Sequence, residues 1–147
     1  MSIAQRSAVT TWTGSLASGS GIVAGASGAL DDLGVTWAAR VERPDGRTSP
    51  EELAAAAHSS CFAMALSLRL GEHHCTAEQL RVEATVTLDE VDGVPTIVSS
   101  RLLVRARVPG VDGEKFQQIV DEAAALCPVS RLFAGARVGV EALLEPS

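Results

Sequence analysis

One long stretch of the chain is almost free of charged residues and follows a clear signal for a helix start. Ser49 can cap a helix whose first position is Pro50, and no charged side chain occurs in Leu53–Leu68. Gly71 marks the predicted end of this helix, and Cys61 lies near its middle. Because so few polar residues interrupt the stretch, the pattern predicts a buried helix.

Two later segments alternate between apolar and polar residues, which is typical of half-buried strands. The first is Leu80–Asp89, and the second is Thr96–Val108, where the alternation is clearest from Leu102 onward. The turn signal Asp92-Gly93 lies between them. The two segments therefore predict an antiparallel hairpin.

The other segments complete the predicted order of elements. They are an opening hairpin or meander over 8–34, a strand over 35–43, a loop over 72–79, a helix over 112–126 and a last strand over 136–143. Strands, a long helix, paired strands, a second helix and a final strand indicate an α+β fold with helices on one face of antiparallel sheet.

The composition limits the size of the fold and the kinds of partner. A chain of 147 residues fits a single domain spanning 1–147. Only 3% of the residues are aromatic, so the core must consist of Ala, Val, Leu and Ile side chains. The net charge of −6 and the lack of a Lys or Arg run give no indication of nucleic-acid or anionic-membrane binding.

The chain carries no pattern of an export signal or a membrane span. Its first residues lack a basic segment followed by an apolar one, so we expect a cytoplasmic protein. The uncharged run is shorter than the roughly 20 apolar residues of a membrane helix. Three cysteines in such a protein argue against a structural disulfide framework and leave reactive, metal-binding or buried thiols.

The long helix also suggests a partner chain. Its segments Leu53–Ala57 and Ser59–Ser60 offer little side-chain bulk, so another backbone can approach closely. A second copy of the same helix is the natural candidate, and we expect a homodimer.

Two interpretations of Cys61 are open. A cysteine on an apolar helix is commonly an inert small hydrophobe, whereas a reactive one needs a positive potential that favours the thiolate. Cys61 is roughly 17 Å from the start of its own helix, too far for the helix dipole to help. A reactive Cys61 therefore requires a cation from elsewhere in the fold.

Arg40 and Arg43 are the nearest upstream cations, and Glu51 or Glu52 can hold either guanidinium in a bidentate pair. Glu51 is about 15 Å from Cys61 along the helix axis. Such a pair must span this gap or come from a partner chain. The alternative is a surface ion pair beside a helix start.

A second thiol, Cys127, ends a predicted helix just before Pro128. It is either an ordinary buried cysteine or the resolving partner of Cys61, which protects a sulfenic acid from overoxidation. Cys75 lies in a polar loop, and we expect it to be a bystander.

His58 precedes Cys61 by three residues on one helical face, which allows either a general base or a packed histidine. A zinc site is a further alternative, although the spacing matches no short zinc motif. Its ligands would be drawn from His58, His73, His74 and Cys75 with Cys61 or Cys127.

Several segments together closely resemble the OsmC/Ohr family of thiol peroxidases. They are Ser49–Leu53, Ala56–Phe62, Cys127–Ser130, Trp12–Gly14 and Val108–Val111. The histidine of the second segment is more typical of the OsmC branch than of the Ohr branch. The resemblance extends over nearly the whole chain.

The resemblance implies roles for four residues. Cys61 would attack the peroxide, and Cys127 would resolve the product as a Cys61–Cys127 disulfide. Arg40 would hold the thiolate and the peroxide oxygen, and Glu51 would orient Arg40. The segment between Arg40 and Glu51 is slightly longer than in familiar members of the family, which leaves Arg43 or Arg47 as an alternative to Arg40.

The resemblance also implies an intertwined homodimer with antiparallel sheets packed around a long central helix and with sites at the subunit interface. The expected activity is reduction of organic hydroperoxides in oxidative-stress defence, with dihydrolipoyl groups as reductant and no cofactor or metal. A catalytically idle relative that serves as a redox-sensing or binding module is the alternative.

Overall fold

The structure, a computed structural model, describes residues 1–147 as two compact units, residues 1–53 and 54–147. It contains six strands and four helices. They are β1 (Ala8–Thr13), β2 (Ser20–Gly25), β3 (Leu33–Val35), α1 (Trp37–Val41), α2 (Pro50–Glu72), β4 (Gln79–Val91), β5 (Val94–Arg107), α3 (Gly113–Leu126), α4 (Pro128–Leu132) and β6 (Arg137–Leu144). The prediction of an α+β fold is confirmed.

The first unit contains an antiparallel sheet in the order β1-β2-β3, which confirms the predicted opening meander. The predicted strand over 35–43 is wrong beyond β3, because Trp37–Val41 is the short helix α1. Thr36 caps this helix by accepting a hydrogen bond of 3.0 Å from the backbone N–H of Ala39. Arg40 is therefore presented from a helix and not from a strand.

The second unit contains a sheet in the order β4-β5-β6. Strands β4 and β5 form the predicted antiparallel hairpin, with Asp92 and Gly93 both at positive φ in its turn. Strand β6 pairs parallel with β5, so the prediction of an antiparallel sheet is wrong for this strand. The physical reason is the crossover through α3 and α4, which returns the chain to the end of the sheet where β5 began.

Helices α2 and α3 pack with the β4-β5-β6 sheet around one apolar core. The large, nearly inaccessible side chains of α2 are Phe62, Leu66 and Leu70. The buried side chains that β5 and α3 contribute to the same core are Leu102, Val104, Ala106, Phe116, Ile119, Val120 and Ala123. Cys127 belongs to the same core and has no exposed surface.

Only one face of α2 is covered by its own chain, so the prediction of a buried helix is wrong for the other face. Met64 is 73% exposed and Leu68 is 57% exposed, and Ala57 and Ser60 lie on the same side. We refer to Ala57, Ser60, Met64 and Leu68 as the open face of α2. The helix is long and apolar enough to span a membrane by length and composition, but its opposite face packs in the core of the second unit.

The end of α2 also differs from the prediction. Gly71 lies inside the helix, and His74 takes the left-handed position after it with φ 57°. The backbone N–H of Cys75 donates to Leu70 at 2.8 Å, and that of His74 donates to Gly71 at 3.0 Å. These two bonds form a Schellman motif, which stops the helix without a glycine at the left-handed position.

Candidate active site

The structure brings Cys61 and Cys127 together in the second unit. Cys61 is half-buried on α2, and the buried Cys127 lies between α3 and α4. The Cys127 side chain and the backbone N–H of Val129 both lie close enough to the Cys61 thiol to shift its pKa, and both cysteines are free thiols. The two thiols are therefore neighbours, as the formation of a disulfide between them requires.

Pro128 explains why Cys127 is placed at this bend. A proline cannot donate the next helical hydrogen bond, and it disfavours helical geometry in the residue before it. Cys127 accordingly has an extended ψ of 113° and is both the last cap of α3 and the first cap of α4. The sequence Cys127-Pro128 thus ends α3 and places the second thiol at the bend between α3 and α4.

Burial raises the pKa of the Cys61 thiol above its ordinary value of 9.0. The Val129 N–H acts in the opposite direction, and the neighbouring Cys127 raises the pKa further. Within the second unit no cation offsets the burial. Cys61 is therefore a protonated thiol near pH 7 unless a positive group is supplied.

Cys61 lies at the border between the core face and the open face of α2. Phe62, the next residue, is fully buried, whereas Ser60, the residue before, is exposed. A molecule that covered the open face would also reach the edge of the thiol. The sulfur is thus placed where the surface of the chain meets its core.

The first unit holds a rigid arginine–carboxylate pair between α1 and the start of α2. Arg40 donates from Nε to both carboxylate oxygens of Glu51 at 3.1 Å and from Nη2 to Oε1 at 2.6 Å. The guanidinium also lies 5.9 Å from the centre of the Trp37 ring, within cation–π range. This bidentate pair is one of those that the sequence allowed.

The alternatives to this pair are arranged differently. Glu52 accepts a hydrogen bond of 2.6 Å from Thr48 Oγ1, and its backbone N–H donates to Ser49 Oγ at 3.1 Å. Arg43 and Arg47 are exposed and form no ion pair. Arg40 is therefore the only one of the three arginines that is held in a fixed orientation by a carboxylate.

His58 is a packed histidine and not a general base for Cys61. Its ring is fully buried, with Nδ1 2.6 Å from Ser100 Oγ and Nε2 2.7 Å from Ser130 Oγ. Burial lowers the pKa of His58, which keeps the ring neutral near pH 7. Both ring nitrogens are occupied by serines, so neither is free to take a proton from Cys61.

Sequence reasoning missed the two serines that bind His58. Ser100 lies two residues before Leu102 and four before Val104, so all three side chains lie on the same, inward face of β5. Ser100 is thus a polar residue at an inward-facing position. A buried hydroxyl needs a hydrogen-bond partner, and this requirement was the available signal.

The residues of the zinc alternative do not come together. His73 Nε2 is 2.8 Å from Glu122 Oε2, and Cys75 donates its thiol hydrogen to the backbone oxygen of His73 at 3.2 Å. No group of three or more His, Cys, Asp or Glu side chains is arranged to hold a metal ion. His58 is bonded to serines only.

Comparison with known proteins supports the motif resemblance. The family model described as OsmC-like protein matches residues 43–141. The peroxiredoxin OsmC of Escherichia coli is 41% identical over 121 residues, which are 82% of this chain and 84% of that protein. The organic hydroperoxide resistance protein of Xanthomonas axonopodis pv. citri is 31% identical over 91 residues, 60% of this chain and 61% of that protein.

Solved structures show the same fold. The organic hydroperoxide resistance protein OhrB of Bacillus subtilis matches with a TM-score of 0.71 and 30% identity, over 95% of this chain and 98% of that one. An OsmC-like protein from Mycoplasma pneumoniae matches with a TM-score of 0.75 over 97% of this chain and 99% of that one, and at 13% identity this likeness concerns the fold alone. Because the family model covers more than half of the chain and a relative is 41% identical over 82% of it, the chain belongs to the OsmC-like protein family.

Proposed function

We propose that this chain is a cytoplasmic thiol peroxidase that reduces organic hydroperoxides to alcohols in defence against oxidative stress. The observation that carries the proposal is the pair of reduced thiols, with half-buried Cys61 next to buried Cys127. The relatives, a peroxiredoxin and organic hydroperoxide resistance proteins, have names that agree with this chemistry.

In the first step, the Cys61 thiolate attacks the terminal oxygen of the hydroperoxide. An S–O bond forms and the O–O bond breaks, so that the sulfur becomes a sulfenic acid and the alkoxide leaves and takes a proton to give the alcohol. The sulfur supplies both electrons, and the chemistry therefore needs no bound metal or cofactor.

In the second step, Cys127 attacks the Cys61 sulfur. The S–S bond forms, the S–O bond breaks, and hydroxide leaves as water with the proton that Cys127 gives up. An external dithiol, for which we propose dihydrolipoyl groups, then reduces the disulfide and is itself oxidised to a disulfide.

The first step needs a cation, because burial alone holds Cys61 as a thiol. We assign this role to Arg40, whose guanidinium is oriented by Glu51 through three short N–H···O contacts. Its positive charge would favour the thiolate and stabilise the departing alkoxide. This pair lies in the first unit, and we propose that it meets Cys61 in the assembled homodimer.

The open face of α2 supports an intertwined homodimer. Met64 and Leu68 are large apolar side chains that remain mostly exposed on the single chain, at 73% and 57%. Covering them with a second copy would remove apolar surface from water, and the small Ala57 and Ser60 would let the partner approach closely. Because Cys61 borders this face, the partner would complete the site.

The apolar surroundings of Cys61 favour an organic peroxide. Met64, about one helical turn after Cys61 on α2, offers contacts to an alkyl group but not to a second hydroxyl. Comparable kcat/KM values for cumene hydroperoxide and hydrogen peroxide would count against this preference.

The decisive assay is peroxide consumption with dihydrolipoamide as reductant. We expect turnover in the unmodified protein, none in Cys61→Ser, and unchanged turnover in the matched control Cys75→Ser. Turnover that persists in Cys61→Ser would overturn the assignment of the nucleophile. A protein that binds or is oxidised but never turns over would instead be a redox-sensing or binding module.

A further inference from the structure

His58 joins the three elements that surround the two cysteines. It belongs to α2, it bonds to Ser100 of β5 at 2.6 Å, and it bonds to Ser130 of α4 at 2.7 Å. The Phe133 ring covers it at a centroid distance of 5.1 Å. A neutral imidazole has one donor and one acceptor nitrogen, and the two hydroxyls satisfy both.

The His58–Ser130 bond connects the segments that carry the two thiols. His58 lies three residues before Cys61, and Ser130 lies three residues after Cys127. Each partner is thus about one helical turn from a sulfur. The His58–Ser130 bond therefore joins the same two segments as the Cys61–Cys127 pair, namely α2 and the turn between α3 and α4.

Apart from Val129, which packs against the core, α4 is held by few contacts. This helix has five residues, none of them fully buried, and Leu132 is 79% exposed. The bond to His58 is the only hydrogen bond between two side chains that joins α4 to another element. The backbone N–H of Val129 also lies close to Cys61, but at the sulfur itself, which is the atom that changes during the reaction.

We propose that His58 is a positioning residue for disulfide formation: through Ser130 it keeps Cys127 against Cys61 after that sulfur has been oxidised. The inference rests on the proposed peroxidase function. The Val129 contact is disturbed when oxygen is added to the sulfur, whereas the His58–Ser130 bond takes no part in the chemistry and survives the first step.

The competing reaction is overoxidation of Cys61. A second hydroperoxide transfers its terminal oxygen to the sulfenic acid, which becomes a sulfinic acid while the peroxide is reduced to another alcohol. Loss of the His58–Ser130 bond would let the Cys127 segment spend less time in contact with Cys61. Disulfide formation would slow, and a larger share of the protein would reach the sulfinic acid.

The test uses Ser130→Ala, with Ser130→Thr as the variant that retains the hydroxyl. The reduced protein is treated with graded cumene hydroperoxide without reductant, and mass spectrometry gives the ratio of sulfinic acid to Cys61–Cys127 disulfide. The rate of the first step is followed separately by stopped-flow mixing, and thermal unfolding checks that each variant is folded.

Losing one hydrogen bond should raise the sulfinic-to-disulfide ratio about five- to tenfold in Ser130→Ala. The first-step rate should stay within about twofold, and Ser130→Thr should restore most of the ratio. His58→Gln breaks the same link from the other side and should shift the ratio in the same direction. Ser67→Ala, an exposed position of α2 without a side-chain hydrogen bond, is the matched control and should leave the ratio unchanged.

An unchanged ratio in folded Ser130→Ala or His58→Gln would overturn the positioning role, as would a first-step rate that falls well beyond twofold while the ratio rises. Failure of the proposed function has a different signature, because the unmodified protein would then form neither product with cumene hydroperoxide.

Discussion

Replacing Glu51 by Gln tests how much the orientation of Arg40 contributes to peroxide reduction. The carboxylate accepts N–H groups of Arg40 at 3.1, 3.1 and 2.6 Å, and an amide of the same shape keeps one acceptor while turning the other into a donor that faces the guanidinium. The substitution therefore loosens Arg40 without removing its charge.

The size of the effect follows from the kind of bond and from its exposure. A hydrogen bond to a charged group contributes about 1.5–3 kcal/mol when it is well buried. The side chains of Arg40 and Glu51 are 30% and 12% exposed, so solvent screens part of this energy. A loss of about 1–2 kcal/mol in transition-state stabilisation lowers the rate of the first step about five- to thirtyfold.

Stopped-flow measurement of Cys61 oxidation by cumene hydroperoxide gives this rate directly. The pH dependence of Cys61 alkylation gives a second readout, because a misplaced cation should raise the pKa of the thiol. Glu52→Gln is the matched control, since it makes the same change in charge at the next residue, whose carboxylate binds Thr48 instead. Equal rates in the Glu51→Gln and Glu52→Gln variants would refute the orienting role.

Three further results are expected. Burial lowers the pKa of His58 below its ordinary value of 6.5, so below pH 6.5 the unfolded chain binds a proton that the folded chain does not. The free energy of unfolding, measured with urea, should be steady above that pH and fall by up to about 1.4 kcal/mol per pH unit below it, and an identical fall in His58→Gln would contradict the assignment. Met64→Glu places a charge on the open face and should give a monomer in analytical ultracentrifugation, whereas Met64→Leu should remain dimeric; a dimeric Met64→Glu would show that this face is not the interface. His74→Gly removes a side chain from a left-handed position at φ 57° and should raise the free energy of unfolding by about 0.5–1 kcal/mol, and an unchanged value would mean that the position is unstrained.

The elements with a strong periodic pattern were predictable from the sequence. Helix α3 buries Phe116, Ile119, Val120 and Ala123 at the predicted helical spacing, and β5 buries the predicted alternate residues from Leu102 onward. In both elements the apolar residues recur at the spacing of the face that packs on the core, so the sequence alone shows which face is buried.

Other features depend on contacts that are distant in sequence. The apolar composition of α2 indicated burial but could not show that its own chain covers only one face. The direction of β6 depends on a crossover, which no pattern within the strand records. In α1, the Thr36 side chain caps the helix by accepting a hydrogen bond, and two alanines have a high helix propensity. Together they favour a helix over the strand that the neighbouring residues predicted.

The candidate site was predictable to a similar extent. The motifs pointed to Cys61 and Cys127, and the allowed pairings included that of Arg40 with Glu51. The role of His58 remained open because a histidine near a cysteine is compatible with catalysis and with packing. Its two serine partners, 42 and 72 residues away, decide the matter, and such distances are not visible in a local pattern.

The central claim is that Cys61 and Cys127 act as a reacting and a resolving thiol within one chain. Peptide mapping after one equivalent of cumene hydroperoxide tests it most directly, because all three cysteines are free at the start. The account predicts a single disulfide between Cys61 and Cys127 in each chain, with Cys75 still reduced. A disulfide between Cys61 and Cys75, or one that joins two chains, would contradict it.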